Sequence, residues 1–303
     1  MDIYLPIANM SVNALLIVAL GGLVGVLSGL FGVGGGFLTT PLLIFYGIPP
    51  SIAVASATTQ ITGASVSGVF AHMKRGGVDL RMGMVMIAGG LVGSLVGAGL
   101  FRLAQASGQI DVVIGLLYVF LLGSIGSLML RDAVKALGWW KSDEVEAPRR
   151  RHHRLVASLP FRWRFYASGL YLSPLAPLGL GFVAGILTVL LGVGGGFILV
   201  PAMIYILGMA PRVVVGTSLV MILAVSAATT MIHALTTQSV DIVLAALLLV
   251  GGVLGAQYGA RLTTRLKPDL LRFSLSLIIL LVALRMGLGL TYRPEEIFSI
   301  EYL

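Results

Sequence analysis

The chain has 303 residues, of which 57% are hydrophobic and 11% are charged, and its mean hydropathy is +1.01. A soluble domain carries about 25% charged residues, so this composition excludes an ordinary soluble fold and indicates a polytopic membrane protein. The absence of cysteine excludes disulfides, thiolate metal sites and thiol nucleophiles. The net charge of +8 does not indicate nucleic-acid binding, because the basic residues cluster in the connections between apolar runs.

Apolar segments follow one another along the whole chain and predict an all-α fold with about ten transmembrane segments. The second and seventh segments are shorter than the roughly 20 residues that a spanning helix needs. Whether these two cross the bilayer fully or are re-entrant is left open. The predicted segments are 11–31, 35–48, 52–73, 80–101, 110–131, 170–191, 195–211, 213–235, 240–262 and 270–290.

A glycine-rich cluster precedes each short segment. The sequence GVGGG occupies residues 32–36 and recurs at residues 192–196. Glycine costs a helix interior about 1 kcal/mol relative to alanine, so both clusters predict helix breaks, with new helices beginning at Gly36 and Gly196. We call these clusters the first and second glycine corners. Broken helices at corresponding places in two halves of a chain are typical of transporter binding sites.

The last five segments repeat the first five at a spacing of about 160 residues. His72 is equivalent to His233, and the glycine motif GGxxGxxxG begins at Gly89 and again at Gly251. The sequence therefore predicts three regions: a first membrane repeat over 1–131, a basic linker over 132–168, and a second membrane repeat over 169–303.

The distribution of basic residues predicts the orientation. If the linker is cytoplasmic and all ten segments cross, only three of the 20 lysines and arginines lie outside, namely Arg102, Arg285 and Arg293. This bias is stronger than the one obtained with re-entrant second and seventh segments. Five crossings per repeat, an odd number, turn the second repeat upside down, which predicts two inverted repeats.

The glycine corners are candidate anion sites. A helix N-terminus presents backbone N–H groups without partners and about half a positive charge, and glycine lets a ligand approach the backbone closely. No lysine or arginine lies near the middle of a predicted segment, so backbone dipoles and hydroxyls would hold a small anion. The alternatives are that the glycines only permit close helix packing and that the hydroxyls bond to their own helices. The candidate substrate-binding residues are Gly34, Gly35, Gly36, Thr39, Thr58, Thr59, Gln60, Gly194, Gly195, Gly196, Thr217, Ser218 and Gln257.

Two pairs of equivalent ionisable residues have other predicted roles. His72 and His233 are candidates for gating or proton coupling, and the alternative for each is a hydrogen bond to a loop carbonyl. Asp79 and Asp241 directly precede the fourth and ninth segments, which predicts helix N-caps. No catalytic constellation, metal-ligand spacing or nucleotide-binding loop is found in the sequence, so we expect no enzyme activity, no metal and no cofactor.

The motifs resemble those of the TauE/SafE family of sulfite exporter-like membrane permeases. The resemblance rests on the segments GVGGGF at 32–37 and GGGF at 194–197 with their following prolines, and on GTS at 216–218. It covers nearly the whole chain outside the linker. It implies transport of sulfur-containing anions such as sulfite, taurine, sulfoacetate or thiosulfate across a bacterial-type plasma (inner) membrane. The first repeat departs from the motif, with ASA at 55–57 in place of GTS.

We therefore expect a secondary transporter, an exporter of a small anion that works by alternating access, with its central linker in the cytoplasm. An inside-negative membrane potential assists the export of an anion. The alternatives are an anion channel, an uptake permease for another small organic anion, and a membrane enzyme or assembly factor. The expected partners are a small anionic substrate and the lipid bilayer, without nucleic acid, and association into a homo-oligomer is left open.

Overall fold

The computed structural model describes residues 2–31, 36–74, 76–136, 160–263 and 268–291. Over these ranges the protein is built from helices, which confirms the all-α prediction. The helices are α1 (Ala14–Phe31), α2 (Gly36–Phe45), α3 (Pro50–Lys74), α4 (Leu80–Ala106), α5 (Ile110–Ala136), α6 (Leu175–Leu191), α7 (Gly196–Tyr205), α8 (Pro211–Thr236), α9 (Ile242–Thr263) and α10 (Pro268–Thr291).

Within the described ranges, five helices are long and apolar enough to cross a membrane, namely α4, α5, α8, α9 and α10, and α1, α2, α6 and α7 are shorter apolar helices. The chain is therefore an integral membrane protein. The helices α2 and α7 have 10 residues each and are the short second and seventh segments of the prediction. The number of crossings stays a prediction.

A short β-hairpin precedes the first helix of each half, and the sequence reasoning missed both. Strands β1 (Asp2–Leu5) and β2 (Met10–Asn13) pair before α1, and β3 (Trp163–Phe165) and β4 (Leu170–Leu172) pair before α6. The second hairpin begins inside the predicted linker, and α5 also extends into it. The basic run at the centre of that linker lies outside the described residues.

The closest helix packing joins one helix from each half, α1 with α9 and α4 with α6. The glycine motifs form both contacts. A Cβ atom added at Gly251 would lie 2.0 Å from the carbonyl oxygen of Val18, and one added at Gly93 would lie 2.1 Å from that of Phe182. The backbones touch because these positions carry no side chain, so the two halves are interlocked.

Equivalent helices of the two halves run antiparallel where they pack together. The hydroxyl oxygens of Thr62 on α3 and Ser226 on α8 lie 3.0 Å apart. Those of Thr59, one turn earlier on α3, and Thr230, one turn later on α8, lie 3.5 Å apart. The contact between α5 and α10 is antiparallel in the same way. Each half therefore contacts the other through matching elements that point in opposite directions.

The predicted N-caps are confirmed. Oδ1 of Asp79 accepts a hydrogen bond of 3.1 Å from the backbone of Met82, and Oδ1 of Asp241 accepts one of 3.1 Å from the backbone of Leu244. These carboxylates satisfy N–H groups in the first turns of α4 and α9, which have no partner within the helix.

The same two aspartates also tie the halves together. Oδ2 of Asp79 accepts from the backbone and hydroxyl of Ser168, in the turn of the second hairpin, at 3.0 and 2.8 Å. The backbone N–H of Asp79 donates to Oγ1 of Thr217 on α8 at 2.9 Å, and that of Asp241 donates to Oγ of Ser56 on α3 at 3.3 Å. Each aspartate therefore joins its helix to a helix of the other half.

Candidate functional site

The second glycine corner is a buried break between two helices. The backbone is left-handed at Gly192, Gly194 and Gly195, with φ of +68°, +69° and +75°, a conformation that glycine adopts without steric cost. Helix α6 ends before this turn and α7 begins at Gly196, which confirms the predicted break and helix start. The first corner, including Gly34 and Gly35, lies outside the described residues up to Gly36, where α2 begins as predicted.

The two corners contact each other inside the protein. A Cβ atom added at Gly36 would lie 2.8 Å from the carbonyl oxygen of Val193 in the second corner. Phe37 and Phe197, the residues that follow the two helix starts, stack with ring centroids 4.4 Å apart and planes inclined by 12°. The N-termini of α2 and α7 therefore meet in the protein interior, where their first N–H groups have no partner within the helix.

Two isoleucines close the space between the corners. Ile61 of α3 would contact a Cβ added at Gly36 or at Gly194, at 2.1 and 2.8 Å, and Ile222 of α8 would contact one added at Gly194 at 3.4 Å. Apolar side chains therefore lie against Gly36 and Gly194, where the sequence predicts a candidate anion site. Sequence reasoning missed Ile61 and Ile222, since an isoleucine within an apolar run carries no signal except its recurrence at equivalent positions.

A buried polar pair lies next to the corners. Oγ1 of Thr39 on α2 donates a hydrogen bond of 3.2 Å to Oε1 of Gln60 on α3, and both side chains are buried. The amide nitrogen of Gln60 would lie 2.7 Å from a Cβ added at Gly252 of α9. The equivalent positions in the second half hold Leu199 and Met221, so this polar lining belongs to the first half alone.

Two further side chains lie at the end of α6 beside the second corner. The hydroxyl of Tyr118 on α5 donates to the carbonyl of Leu191. The Thr40 hydroxyl, which is buried, would lie 3.0 Å from a Cβ added at Gly192, and it makes no hydrogen bond of standard geometry among the described residues. Thr40 was not among the predicted site residues, although it adjoins Thr39.

The other predicted hydroxyls are engaged in structural hydrogen bonds. The hydroxyls of Thr58 and Thr59 both donate to the carbonyl of Ala55, and that of Ser218 donates to a carbonyl one turn earlier on α8. Thr217 accepts the hydrogen bond from the backbone at the start of α4. These contacts favour the alternative reading of these residues, in which each hydroxyl satisfies a backbone group.

The prediction that Gln257 belongs to the substrate site is wrong. Its side chain is exposed on α9, beside the exposed Leu254 and Tyr258. The opposite face of this helix, which carries Gly255 and Gly259, packs against α1 and directs Gln257 away from the corners. The structure therefore does not bring Gln257 together with Gln60.

The two equivalent histidines have different surroundings. His233 is buried, with Nε2 3.1 Å from the carbonyl oxygen of Val189, Nδ1 3.3 Å from the Thr237 hydroxyl, and its ring edge-on to Phe101 at 4.8 Å. His72 is half-buried near the end of α3. His233 therefore bridges α8 to the last turn of α6, just before the second corner. Among the described residues, no cluster of three or more metal-ligating side chains is found.

Comparison with known proteins agrees with this architecture. The family model described as "Sulfite exporter TauE/SafE" matches residues 17–286. A "Probable membrane transporter protein" of Xylella fastidiosa is 28% identical and aligns over 91% of this chain and 95% of its own, and "Probable membrane transporter protein YunE" of Bacillus subtilis is 26% identical over 94% and 98%. "Sulfite exporter TauE/SafE family protein 1" of Arabidopsis thaliana is 33% identical over 28% of this chain and 20% of its own. No solved structure matches significantly. The match over most of the sequence, together with the apolar helices, shows that the chain is a membrane transporter that belongs to the TauE/SafE family.

Proposed function

We propose that this transporter exports a small sulfur-containing anion, such as sulfite or an organosulfonate, by alternating access. The observation that carries the proposal is the contact between the N-termini of α2 and α7 at the two glycine corners, directly beside the buried pair of Thr39 and Gln60. Backbone N–H groups and an amide are donors that suit an oxyanion, and they hold it without a buried cationic side chain. The family name supports the sulfur-containing substrate class.

Alternating access rests on two inverted halves. The antiparallel packing of α3 with α8, and of α5 with α10, supports an inverted arrangement with the corners at its centre. A rocking motion of one half against the other would open the corners first to one side of the membrane and then to the other. In this proposal the membrane is a bacterial-type inner membrane and the central basic linker lies in the cytoplasm.

Ile61 acts as the gate of the site. Its side chain occupies the space between Gly36 and Gly194, so an anion binds only after Ile61 moves away. Rotation of the Ile61 side chain would vacate this space while Gln60, the preceding residue on α3, stays in place. While Ile61 occupies this space, its apolar side chain blocks the site, which prevents a leak of small ions between transport cycles.

For the alternative, uptake, we assign proton coupling to His233. It contacts the carbonyl of Val189 in the last turn of α6, so its movement reaches the second corner directly. The membrane potential supplies about 2.3 kcal/mol per charge per 100 mV, so export of an anion needs no second ion. Uptake against this potential would need a proton, and His233 is the buried group placed to respond to one.

The test measures transport in proteoliposomes, with sulfite, taurine, sulfoacetate, thiosulfate and chloride as substrates. Gln60→Leu removes one hydrogen bond to a charged ligand, which is worth about 1.5–3 kcal/mol and corresponds to a loss of apparent affinity of about 10- to 150-fold. Gln257→Leu is the matched control. It makes the same change on the exposed face of α9, so we expect wild-type transport.

Saturable flux with counterflow, selective for one of the sulfur-containing anions, supports the carrier. Flux that neither saturates nor shows counterflow identifies a channel instead. If Gln60→Leu and Gln257→Leu transport equally well, the anion does not bind at the corners.

A further inference from the structure

A cavity of about 730 Å³ opens on the surface where the second hairpin packs against the start of α4. Three of its lining residues are arginines, Arg81 from α4 and Arg162 and Arg164 from the hairpin. None of the described residues that line it is acidic. We call this cavity the arginine groove, and it lies apart from the glycine corners.

An aromatic ring positions two of the three guanidinium groups. The Cζ atoms of Arg81 and Arg164 lie 5.3 and 5.7 Å from the centre of the Tyr166 ring, within cation–π distance. Asp79, two residues before Arg81, is buried, and its carboxylate accepts hydrogen bonds from Met82 and Ser168 instead. None of these hydrogen bonds of the Asp79 carboxylate goes to Arg81, so Asp79 does not neutralise that guanidinium.

The remaining wall of the groove is apolar and continues onto a membrane-spanning helix. Leu80 and Met84 of α4 are 53% and 62% exposed, although α4 is one of the helices long and apolar enough to cross the bilayer. Trp163, also exposed at the rim, is a residue typical of the boundary between headgroups and hydrocarbon. The groove thus has the arginines at one end, and at the other end an apolar surface of Leu80 and Met84 that faces hydrocarbon.

The other half of the molecule shows that the hairpin fold does not require these charges. By strand register, Asp2 and Tyr4 occupy the places of Arg162 and Arg164 in the first hairpin. Val243, two residues after Asp241, occupies the place of Arg81. The same architecture is therefore basic in one half of the molecule and lacks all three arginines in the other.

We propose that the arginine groove binds the headgroup of an anionic phospholipid, with an acyl chain lying along Leu80 and Met84. Guanidinium groups bind phosphate oxygens in a bidentate manner, and arginine is less strongly hydrated than lysine, which suits a site at the membrane surface. A lipid differs from a soluble anion because its acyl chain would contact Leu80 and Met84 while its headgroup contacts the arginines. This inference does not depend on the transported substrate.

The test is native mass spectrometry of the purified full-length protein in detergent, titrated with phosphatidylglycerol or with phosphatidylcholine of the same acyl chains. We expect the wild type to bind the first phosphatidylglycerol at least about 10-fold more tightly than the first phosphatidylcholine, since the groove offers several guanidinium contacts to an anionic headgroup. The double variant R81Q/R164Q should lose most of this preference. R285Q is the matched control, because the Arg285 guanidinium also lies over a ring, that of Phe45, at 5.2 Å, but away from the groove.

Retention of the preference in R81Q/R164Q, or an equal loss in R285Q, overturns the proposal. Displacement of phosphatidylglycerol by millimolar inorganic phosphate also overturns it, because the site would then belong to a soluble anion. If the double variant does not fold, R164Q alone, on an exposed strand, is titrated instead, and an unchanged preference there is equally decisive. The variant R81K/R164K keeps the charge and should keep a larger part of the preference than the glutamine variant.

Discussion

Replacing Gly185 by alanine tests whether backbone contact between α4 and α6 holds the two halves together. A Cβ atom at this position would lie 2.1 Å from the carbonyl oxygen of Gly90, 2.9 Å from its carbonyl carbon and 3.0 Å from its Cα. All three are backbone atoms, so no side chain can rotate away. The helices must separate by about 1 Å, because ordinary contacts of this kind begin at more than 3 Å.

The expected magnitude follows from two opposing effects. Forcing a methyl group into a packed contact costs about 1–3 kcal/mol, while alanine in place of glycine favours the helix by up to about 1 kcal/mol. Gly179, on the same helix, is the matched control, because a Cβ atom there has no neighbour within 4 Å. Gly179→Ala gains helix propensity without a steric clash. We therefore expect the free energies of unfolding of the two variants to differ by about 2 kcal/mol.

Thermal unfolding in detergent, followed by circular dichroism, measures this difference. Gly185→Ala should unfold several degrees below Gly179→Ala, which should match or exceed the wild type. If the two variants unfold at the same temperature, the backbones of α4 and α6 do not make the close contact that interlocks the halves.

Three further predictions concern contacts between elements. Asp79→Ala should cost about 1–3 kcal/mol in thermal unfolding, because it removes the α4 cap and the anchor of the second hairpin, while Ser168→Ala should cost less; equal effects would mean that the cap contributes nothing. Thr217→Val should lower the unfolding temperature, because it leaves a buried N–H without an acceptor, whereas the same change at the exposed Thr236 should not. Phe197→Leu should weaken the contact between the corners by about 1 kcal/mol and alter transport more than it alters folding, and unchanged transport would count against a role for this contact.

The duplicated features were predictable from the sequence because each carries a local physical signal. Clustered glycines disfavour a helix, so the break before Gly196 and the start at Gly36 could be predicted from residue types alone. An aspartate directly before an apolar run is a recognised cap, and both Asp79 and Asp241 act as one. The closeness of the two corners required the additional step of recognising the repeat.

Side-chain direction could not be predicted in the same way. Gln257 and Gln60 both lie in apolar segments, yet Gln60 faces Thr39 inside the protein while Gln257 faces outward. In a membrane protein both faces of a helix are apolar, so the pattern does not show which face is buried. The contact of Ile61 with Gly36 and Gly194 could not be predicted for the same reason, because the residues around Ile61 in the sequence are also apolar.

The pairing of α1 with α9 has a consequence for biosynthesis. The ribosome completes α1 first among the helices and α9 almost last, so at about 5–20 residues per second the glycine-lined side of α1 waits on the order of tens of seconds for its native partner. During this interval the membrane or an insertion factor must shield that side. The N-terminal half expressed alone would keep this side uncovered, and supplying the C-terminal half as a separate polypeptide should rescue it.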